Sequence, residues 1–178
     1  MGIDLSHANE EIFFDMIEVV REEEALGKDV CVYASHSNSR RLCPRPRNLY
    51  DYQLEMIKSV GGQVGLLSNR NFIATAEEKD NISQEEKEKK YLEHIKHVAS
   101  IVGKDNVMIA TDDMNFCKDA DSEYGEVAIF DYPSVAYDVA SLLSREYDYS
   151  DIRMIMYDTA KNKIFNKIRD KQNRRGVK

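Results

Sequence analysis

The chain has 178 residues, 42% of them hydrophobic and 32% charged, with a formal net charge of −7. This composition is typical of a soluble globular protein, and we expect one domain over residues 1–178. The acidic balance argues against nucleic-acid binding, and the absence of a signal peptide and of any apolar run of about 18 residues argues against a membrane protein.

The chain begins with a short predicted strand over residues 2–7 that ends in His7. Asn9 is then expected to cap a helix, because its side chain can accept a hydrogen bond from the first helical turn. Gly27 ends this helix. Apolar residues recur along it at helical spacing, namely Ile12, Phe13, Met16, Val19 and Val20.

A second predicted strand, Val30–Ala34, is short, apolar and bounded by polar residues, as in a buried strand of a parallel sheet. His36 follows it, at the strand end where α/β folds place their chemistry. The next segment is polar and contains two prolines, so it favours a loop, and its guanidinium groups can bind a carboxylate or phosphate. Its arginines are Arg40, Arg41, Arg45 and Arg47.

His7 and His36 hold equivalent positions at the ends of neighbouring predicted strands. Imidazole nitrogens that converge in such a place are typical ligands of a divalent metal such as zinc. A single histidine at a strand end is more often structural, and two in equivalent positions leave the structural and the metal-binding interpretations equally open.

A helix capped by Asp51 follows and ends at Gly61 and Gly62, and its predicted buried residues are Leu54, Ile57 and Val60. The third strand is predicted over Val64–Leu67. The long polar segment after it, Ser68–Ile82, is a candidate lid over the site.

Ser83 and Glu86 form a capping box that begins a long helix. His94 and His97 lie on it three residues apart, a spacing compatible with metal binding. We assign them no site, because this helix should pack outside a barrel with its polar face in solvent. Residues 106–111 form the fourth strand. The apolar face of the helix carries Tyr91, Ile95, Val98 and Ile101 or Val102.

The acidic loop over residues 112–131 lacks the oxygen spacing and central glycine of an EF-hand, so only Asp112 is singled out, by its place at a strand end. Helices are predicted from Pro133 and from Ser150. Residues 161–178 form a basic helical tail with eight Lys or Arg, which is better explained as a solvated helix end than as a contact with RNA or an anionic surface. The apolar residues of these helices are Val135, Val139, Leu142 or Leu143, Ile152, Ile155, Met156, Ile164 and Phe165.

The predicted order is strand then helix, four times, followed by a C-terminal helix. Such alternation predicts an α/β fold with a parallel sheet and right-handed crossovers. A complete eight-stranded (β/α)8 TIM-type barrel needs about 250 residues, so four βα units supply roughly half of one. The odd set of cysteines, Cys31, Cys43 and Cys117, gives no disulfide framework and fits a reducing, cytoplasmic location.

Four motifs in order resemble the membrane (renal) dipeptidase family of zinc metallopeptidases. They are Asp4-Leu5-Ser6-His7, Ser35-His36-Ser37-Asn38-Ser39-Arg40, Pro46-Arg47-Asn48-Leu49 and Gly61-Gly62-Gln63-Val64-Gly65, with Val107-Met108-Ile109-Ala110-Thr111-Asp112 where the family has a strand ending in an aspartate. The resemblance covers the whole chain but only the C-terminal half of the family pattern.

The resemblance implies a (β/α)8 barrel with a two-zinc site. His7 and His36 would be the histidine ligands of one zinc, Arg47 would hold the free carboxylate of a dipeptide, and Asp112 would assist proton transfer. The other zinc's His-x-Asp pair, the bridging glutamate and a further histidine are absent and would lie upstream of Met1. The chain departs from the family pattern at two places. It has Asp113-Met114-Asn115 where many members have Phe-Asp-Gly, and Phe72 where many members have tyrosine.

We therefore expect hydrolysis of dipeptides by a zinc-bound hydroxide, carried out by a fragment or subunit that works with a separate N-terminal half or as a homo-oligomer. The alternative is an inactive remnant that acts as a binding or oligomerisation module. A different metal-dependent amidohydrolase would keep the histidines but would have no reason to keep the Pro46-Arg47-Asn48 loop.

Overall fold

The computed structural model describes residues 2–75, 77–78, 81–112, 128–130 and 134–175, and there the chain alternates short strands with helices. A 3₁₀ turn at Lys104–Asn106 precedes the fourth strand, and a π-helical segment, Met154–Phe165, joins the last two helices. The strands are β1 (Gly2–Asp4), β2 (Cys31–Ala34), β3 (Gln63–Leu67) and β4 (Val107–Ala110), and the helices are α1 (Glu10–Ala25), α2 (Asp51–Ser59), α3 (Arg70–Ile73), α4 (Gln84–Val102), α5 (Val135–Leu143), α6 (Tyr149–Arg153) and α7 (Asn166–Arg175).

The four strands form one parallel sheet in the order β1-β2-β3-β4. The predicted α/β fold with a parallel sheet is therefore confirmed. Because the order in space follows the order in sequence, the sheet grows by one βα unit at a time and all strand carboxyl ends meet at one edge. Within the described residues, β1 and β4 each pair with a strand on one side only.

Helices cover both faces of the sheet. Side chains alternate between the faces along each strand, so Val32 and Ala34 pack with α1, α2 and α4 in the main core, while Cys31 points to the other face. There Cys31 and Met108 pack against Ile164 of the π-helical segment. The C-terminal part of the chain therefore packs on this second face, near the amino ends of the strands.

The predicted helix boundaries follow their capping residues. Asn9 Oδ1 accepts from the Ile12 amide at 2.8 Å and begins α1. Ser83 and Glu86 form the reciprocal capping box at the start of α4. Two caps differ from the prediction: Tyr50 rather than Asp51 caps α2, and Asp148 rather than Ser150 caps the last helical run.

Several predicted core positions are wrong. Ile12 and Val19 are 46% and 47% exposed, and Ile17, which was not predicted, is fully buried together with Phe13 and Val20. Phe165 is 68% exposed. Pro133 and Cys117 lie outside the described residues.

The candidate lid over Ser68–Ile82 is not an open polar loop in its first half. It contains α3, and both Ile73 and Ala74 are 1% exposed in the main core. Within the described part of the chain, no helix has the length and apolarity that crossing a bilayer requires.

Gly65 lies where the end of β2 passes closest to β3. A Cβ atom at this position would overlap the carbonyl oxygen of Ser35 and lie 3.1 Å from the Ala110 Cβ. The Ser37 amide donates to the Gly65 carbonyl at 2.7 Å. Gly65 therefore allows the backbone on either side of His36 to lie directly against the sheet.

We expect Gly65→Ala to lower the free energy of unfolding by about 1–3 kcal/mol, the usual cost of overpacking. Urea denaturation followed by circular dichroism measures this change. Ala110→Gly serves as the matched control, and the Gly65→Ala/Ala110→Gly double variant should remain destabilised because the overlap is with backbone. Full recovery in the double variant would contradict this explanation.

Candidate functional site

The four residues predicted from the sequence lie together at the carboxyl edge of the sheet. His7 follows β1 and His36 follows β2, and their Nε2 atoms are 2.9 Å apart. Arg47 Nη2 lies 2.9 Å from His7 Nε2 and 3.6 Å from Asp112 Oδ2. Asp112, which follows β4, places that same oxygen 3.9 Å from His36 Nε2. Two imidazoles, a guanidinium and a carboxylate thus face one small space.

Backbone geometry and local hydrogen bonds orient these side chains towards the shared space. His7 and Asp112 have φ values of 67° and 46°, in the left-handed region that residues other than glycine rarely adopt. Such conformations persist only where the surroundings enforce them, and they are frequent at functional sites.

The ends of β1 and β2 are held together by side chains of the first motif. Asp4 Oδ1 accepts from the Ser35 amide at 3.0 Å, and Ser6 Oγ accepts from the His36 amide at 3.0 Å. Ser35 Oγ lies 2.6 Å from His36 Nδ1. Asp4, Ser6 and Ser35 stand within the motifs that carry the histidines, although no role is predicted for them from the sequence pattern.

Burial lowers the pKa of His36, the Asp112 carboxylate opposes part of that shift, and the Arg47 guanidinium and His7 add to it. A neutral His36 is therefore favoured. Because a guanidinium only donates hydrogen bonds, His7 Nε2 must accept from Arg47, so its lone pair points into the shared space.

This donor set fits half of a zinc site. Two neutral imidazole nitrogens are suitable ligands, and the Ser35 hydroxyl is placed to accept from His36 Nδ1–H and orient the ring. A catalytic zinc takes about three protein ligands. Among the residues that the structure describes, no group of three or more His, Cys, Asp or Glu side chains is arranged to hold a metal ion.

The loop that carries Arg47 is fixed by two buried asparagines. Asn38, fully buried, donates to the Leu67 carbonyl at 2.9 Å and accepts from the Leu67 amide at 3.0 Å. Asn48, 2% exposed, donates to the carbonyls of Cys43 and Phe72 at 2.9 and 2.8 Å. These bonds join the loop to β3 and to α3.

His94 has the same role from α4. Its Nδ1 atom accepts from the Ser39 amide at 3.1 Å, and the side chain is 1% exposed. The predicted solvated face of α4 is therefore wrong at His94, whereas His97 is partly exposed and bonds to Asp51 at 2.8 Å. The local sequence pattern does not indicate that a side chain of a distant helix accepts a hydrogen bond from this loop amide.

Two cavities adjoin Arg47. The larger, of about 350 Å³, is lined by residues that include His7, Glu10, Arg40, Arg47 and Gln53. The second, of about 320 Å³, is a mainly apolar slot whose wall includes Phe72, and the Arg47 guanidinium lies 4.9 Å from the centre of that ring. Arg47 therefore stands between a polar cavity and an apolar one.

Comparisons with known proteins identify relatives of this chain. The sequence profile of the family described as membrane dipeptidase (peptidase family M19) matches residues 1–175. An uncharacterised protein from the pqqA 5′ region of Klebsiella pneumoniae is 33% identical over 112 residues, which are 63% of this chain and 37% of that protein. Dipeptidase ataJ of Aspergillus terreus is 30% identical over 110 residues, which are 62% of this chain and 24% of the relative.

Solved structures give the same result. A metallo peptidase from Rhodobacter sphaeroides, liganded with a phosphinate mimic of the dipeptide L-Ala-D-Ala, superposes with a TM-score of 0.64 at 25% identity. The alignment covers 88% of this chain and 39% of that one. A dipeptidase of family M19 gives a TM-score of 0.63 at 26% identity, covering 88% and 40% of the two chains. The matches thus span less than half the length of these relatives.

The burial of His94 makes the stability of the fold depend on pH. Burial lowers the pKa of His94 to about 4 from 6.5, with an opposing contribution from the Ile73 backbone. The unfolded chain therefore binds the proton first as pH falls, and the stabilisation present above pH 6.5 is lost toward pH 4. We expect this group to remove about 2 kcal/mol from the free energy of unfolding between pH 7 and 5.

Urea denaturation at several pH values measures this loss. In His94→Asn, whose Oδ1 can replace Nδ1 as the acceptor for Ser39, the pH slope between 7 and 5 should be smaller than in the unmodified chain. His97→Gln on the same helix is the matched control and should keep the slope. Equal slopes in all three proteins would contradict the role of His94.

Proposed function

Because the chain belongs to the membrane dipeptidase family, peptidase family M19, we propose that it forms part of a zinc-dependent enzyme that hydrolyses the peptide bond of dipeptides. The observation that carries this proposal is the convergence of His7, His36, Arg47 and Asp112 within hydrogen-bond or ion-pair distance of one another. An imidazole pair, a cation and a carboxylate are the groups that metal-assisted cleavage of a short, anionic peptide requires.

His7 and His36 would hold one zinc ion through their Nε2 atoms. When bound, zinc supplies a Lewis acid that polarises a carbonyl group and acidifies water near neutral pH. The remaining ligands of the family's two-metal site would come from the part of the fold that this chain does not contain.

Arg47 and Asp112 would act on the substrate. The Arg47 guanidinium binds the free carboxylate of the dipeptide, and its contact with the Phe72 ring fixes the plane of the guanidinium group. Asp112 lies beside this receptor and His36, with its Oδ2 atom 3.6 Å from Arg47 and 3.9 Å from His36. From there the carboxylate can hold a proton and deliver it to the leaving amine.

The complete enzyme would be a (β/α)8 barrel, in which residues 1–178 form the C-terminal half as one domain and 161–178 its basic tail. The flank of α1 supports this proposal. Ile12, Met16 and Val19 form a partly exposed apolar stripe on it, while the residues that contact α2, Phe14 and Arg21, lie on the opposite flank. An apolar helix flank beside a strand paired on one side suits a further βα unit.

That unit would come from the N-terminal half of the family fold or from a second copy of the chain. The second candidate function, an inactive binding or oligomerisation module, is favoured by one observation, the ligand count of two histidines within the described residues. Metal binding separates the two candidates.

Zinc titration of the purified chain by calorimetry is expected to show one site per chain. His7→Ala and His36→Ala should each weaken it by more than the roughly 10–100-fold that loss of a single outer-shell partner costs. His97→Ala, which removes a histidine distant from the strand ends, is the matched control and should bind as the unmodified chain does. Zinc binding that survives both His7→Ala and His36→Ala would refute the assignment of these ligands.

The role of Arg47 is tested in the assembly that cleaves dipeptides. Loss of a charge-assisted hydrogen-bonded pair costs about 1.5–3 kcal/mol, so Arg47→Ala should raise KM by about 10–100-fold and lower kcat less. Arg41→Ala removes a neighbouring arginine that pairs instead with Asp51 at 3.6 Å, and it should leave both constants unchanged. An unchanged KM in Arg47→Ala would remove Arg47 from the carboxylate role.

A further inference from the structure

The arginines of the loop after β2 differ in their partners. Arg41 faces the Asp51 carboxylate at 3.6 Å, and Arg47 faces Asp112 at 3.6 Å. Arg40 makes no ion pair with a carboxylate of the described residues, although it lines the same 350 Å³ cavity as Arg47 and His7. Its guanidinium therefore brings a positive charge to the cavity that no ion pair with these carboxylates offsets.

Arg40 is held in place although it lacks such an ion pair. Its backbone amide donates to the Leu49 carbonyl at 2.8 Å, and its guanidinium carbon lies 4.3 Å from the centre of the Tyr50 ring. Tyr50 in turn stacks on Tyr52, with ring centres 5.2 Å apart. A cation fixed over an aromatic face keeps its N–H edge available for an anion.

The other charged groups of the cavity wall favour a second anion in the cavity, in addition to the carboxylate bound by Arg47. Glu10 is the acidic residue on the wall, and its carboxylate is hydrogen-bonded by the Tyr52 hydroxyl, an interaction that contributes after burial to raising the pKa of Tyr52 to about 12. The positive end of α1 also borders the cavity at Asn9. Two guanidinium groups and a helix amino end thus outweigh the one carboxylate on the cavity wall.

We propose that Arg40 is a specificity residue that binds a second anionic group on the substrate, so that the preferred dipeptides end in aspartate or glutamate. This inference rests on the proposed function, because it takes Arg47 as the receptor for the main-chain carboxylate. The side-chain carboxylate of the same residue then enters the cavity and pairs with Arg40.

The test measures binding of small probes to the intact chain by calorimetry at low ionic strength, where exposed charges are least screened. The probes are N-acetylglutamate and N-acetylaspartate, each compared with its neutral isostere, N-acetylglutamine or N-acetylasparagine. At least one acidic probe should bind about 3–10-fold tighter than its isostere, as expected for a partly exposed charge pair.

Arg40→Gln should reduce this ratio to about one without changing the affinity for the neutral probes, whereas Arg40→Lys should keep a ratio above one. Arg41→Gln is the matched control and should keep the full ratio. A ratio of one in the unmodified chain, or an unchanged ratio in Arg40→Gln while binding still requires Arg47, would overturn the inference alone. Binding of all probes that is unaffected by Arg47→Ala would overturn the proposed role of Arg47 and this inference with it.

Discussion

The site depends on buried side chains that satisfy the backbone of an irregular loop. The loop pairs some of its own amides and carbonyls, as Arg40 does with Leu49, and the buried polar groups that remain would be costly without other partners. Asn48 donates to the Cys43 carbonyl and His94 accepts from the Ser39 amide, while Asn38 ties the loop to the Leu67 backbone of β3; each of the three is 2% exposed or less. The loop can therefore be rigid without regular structure, and the backbone that carries Arg47 is positioned by contacts distant from its charge.

The site also depends on the parallel order of the strands. Since β1, β2 and β4 all end at the same edge, residues about 30 to 100 positions apart in sequence meet there without any long-range covalent constraint. Asp4 and Ser6 then hold the amides of Ser35 and His36, which fixes the separation of the two imidazoles. The tight approach of Gly65 to Ser35 is part of the same junction, because a larger residue would separate β2 from β3.

Much of this arrangement follows from local sequence patterns. Strand ends, caps such as Asn9 and Ser83, and the positions of His7, His36 and Asp112 depend on short-range periodicity and capping chemistry, which a single sequence displays. The burial of His94 and the exposure of Ile12 and Val19 do not, because they depend on which helix packs against which loop or flank. The helical periodicity of α1 is consistent with two adjacent apolar stripes, and only packing determines that Phe13, Ile17 and Val20 form the buried one.

The contact between Arg47 and His7 would also link the two binding events of the proposed function. A neutral imidazole nitrogen has one lone pair, so His7 Nε2 cannot accept from the guanidinium and bind a metal ion at the same time. If the histidines hold a metal ion as proposed, the Arg47 Nη2 donor would lose its acceptor on His7, and two nearby cations repel each other unless an anion lies between them. The carboxylate that we propose for Arg47 would supply that anion. Metal and carboxylate binding would thus favour each other through a single nitrogen atom, and by linkage the effect would be reciprocal.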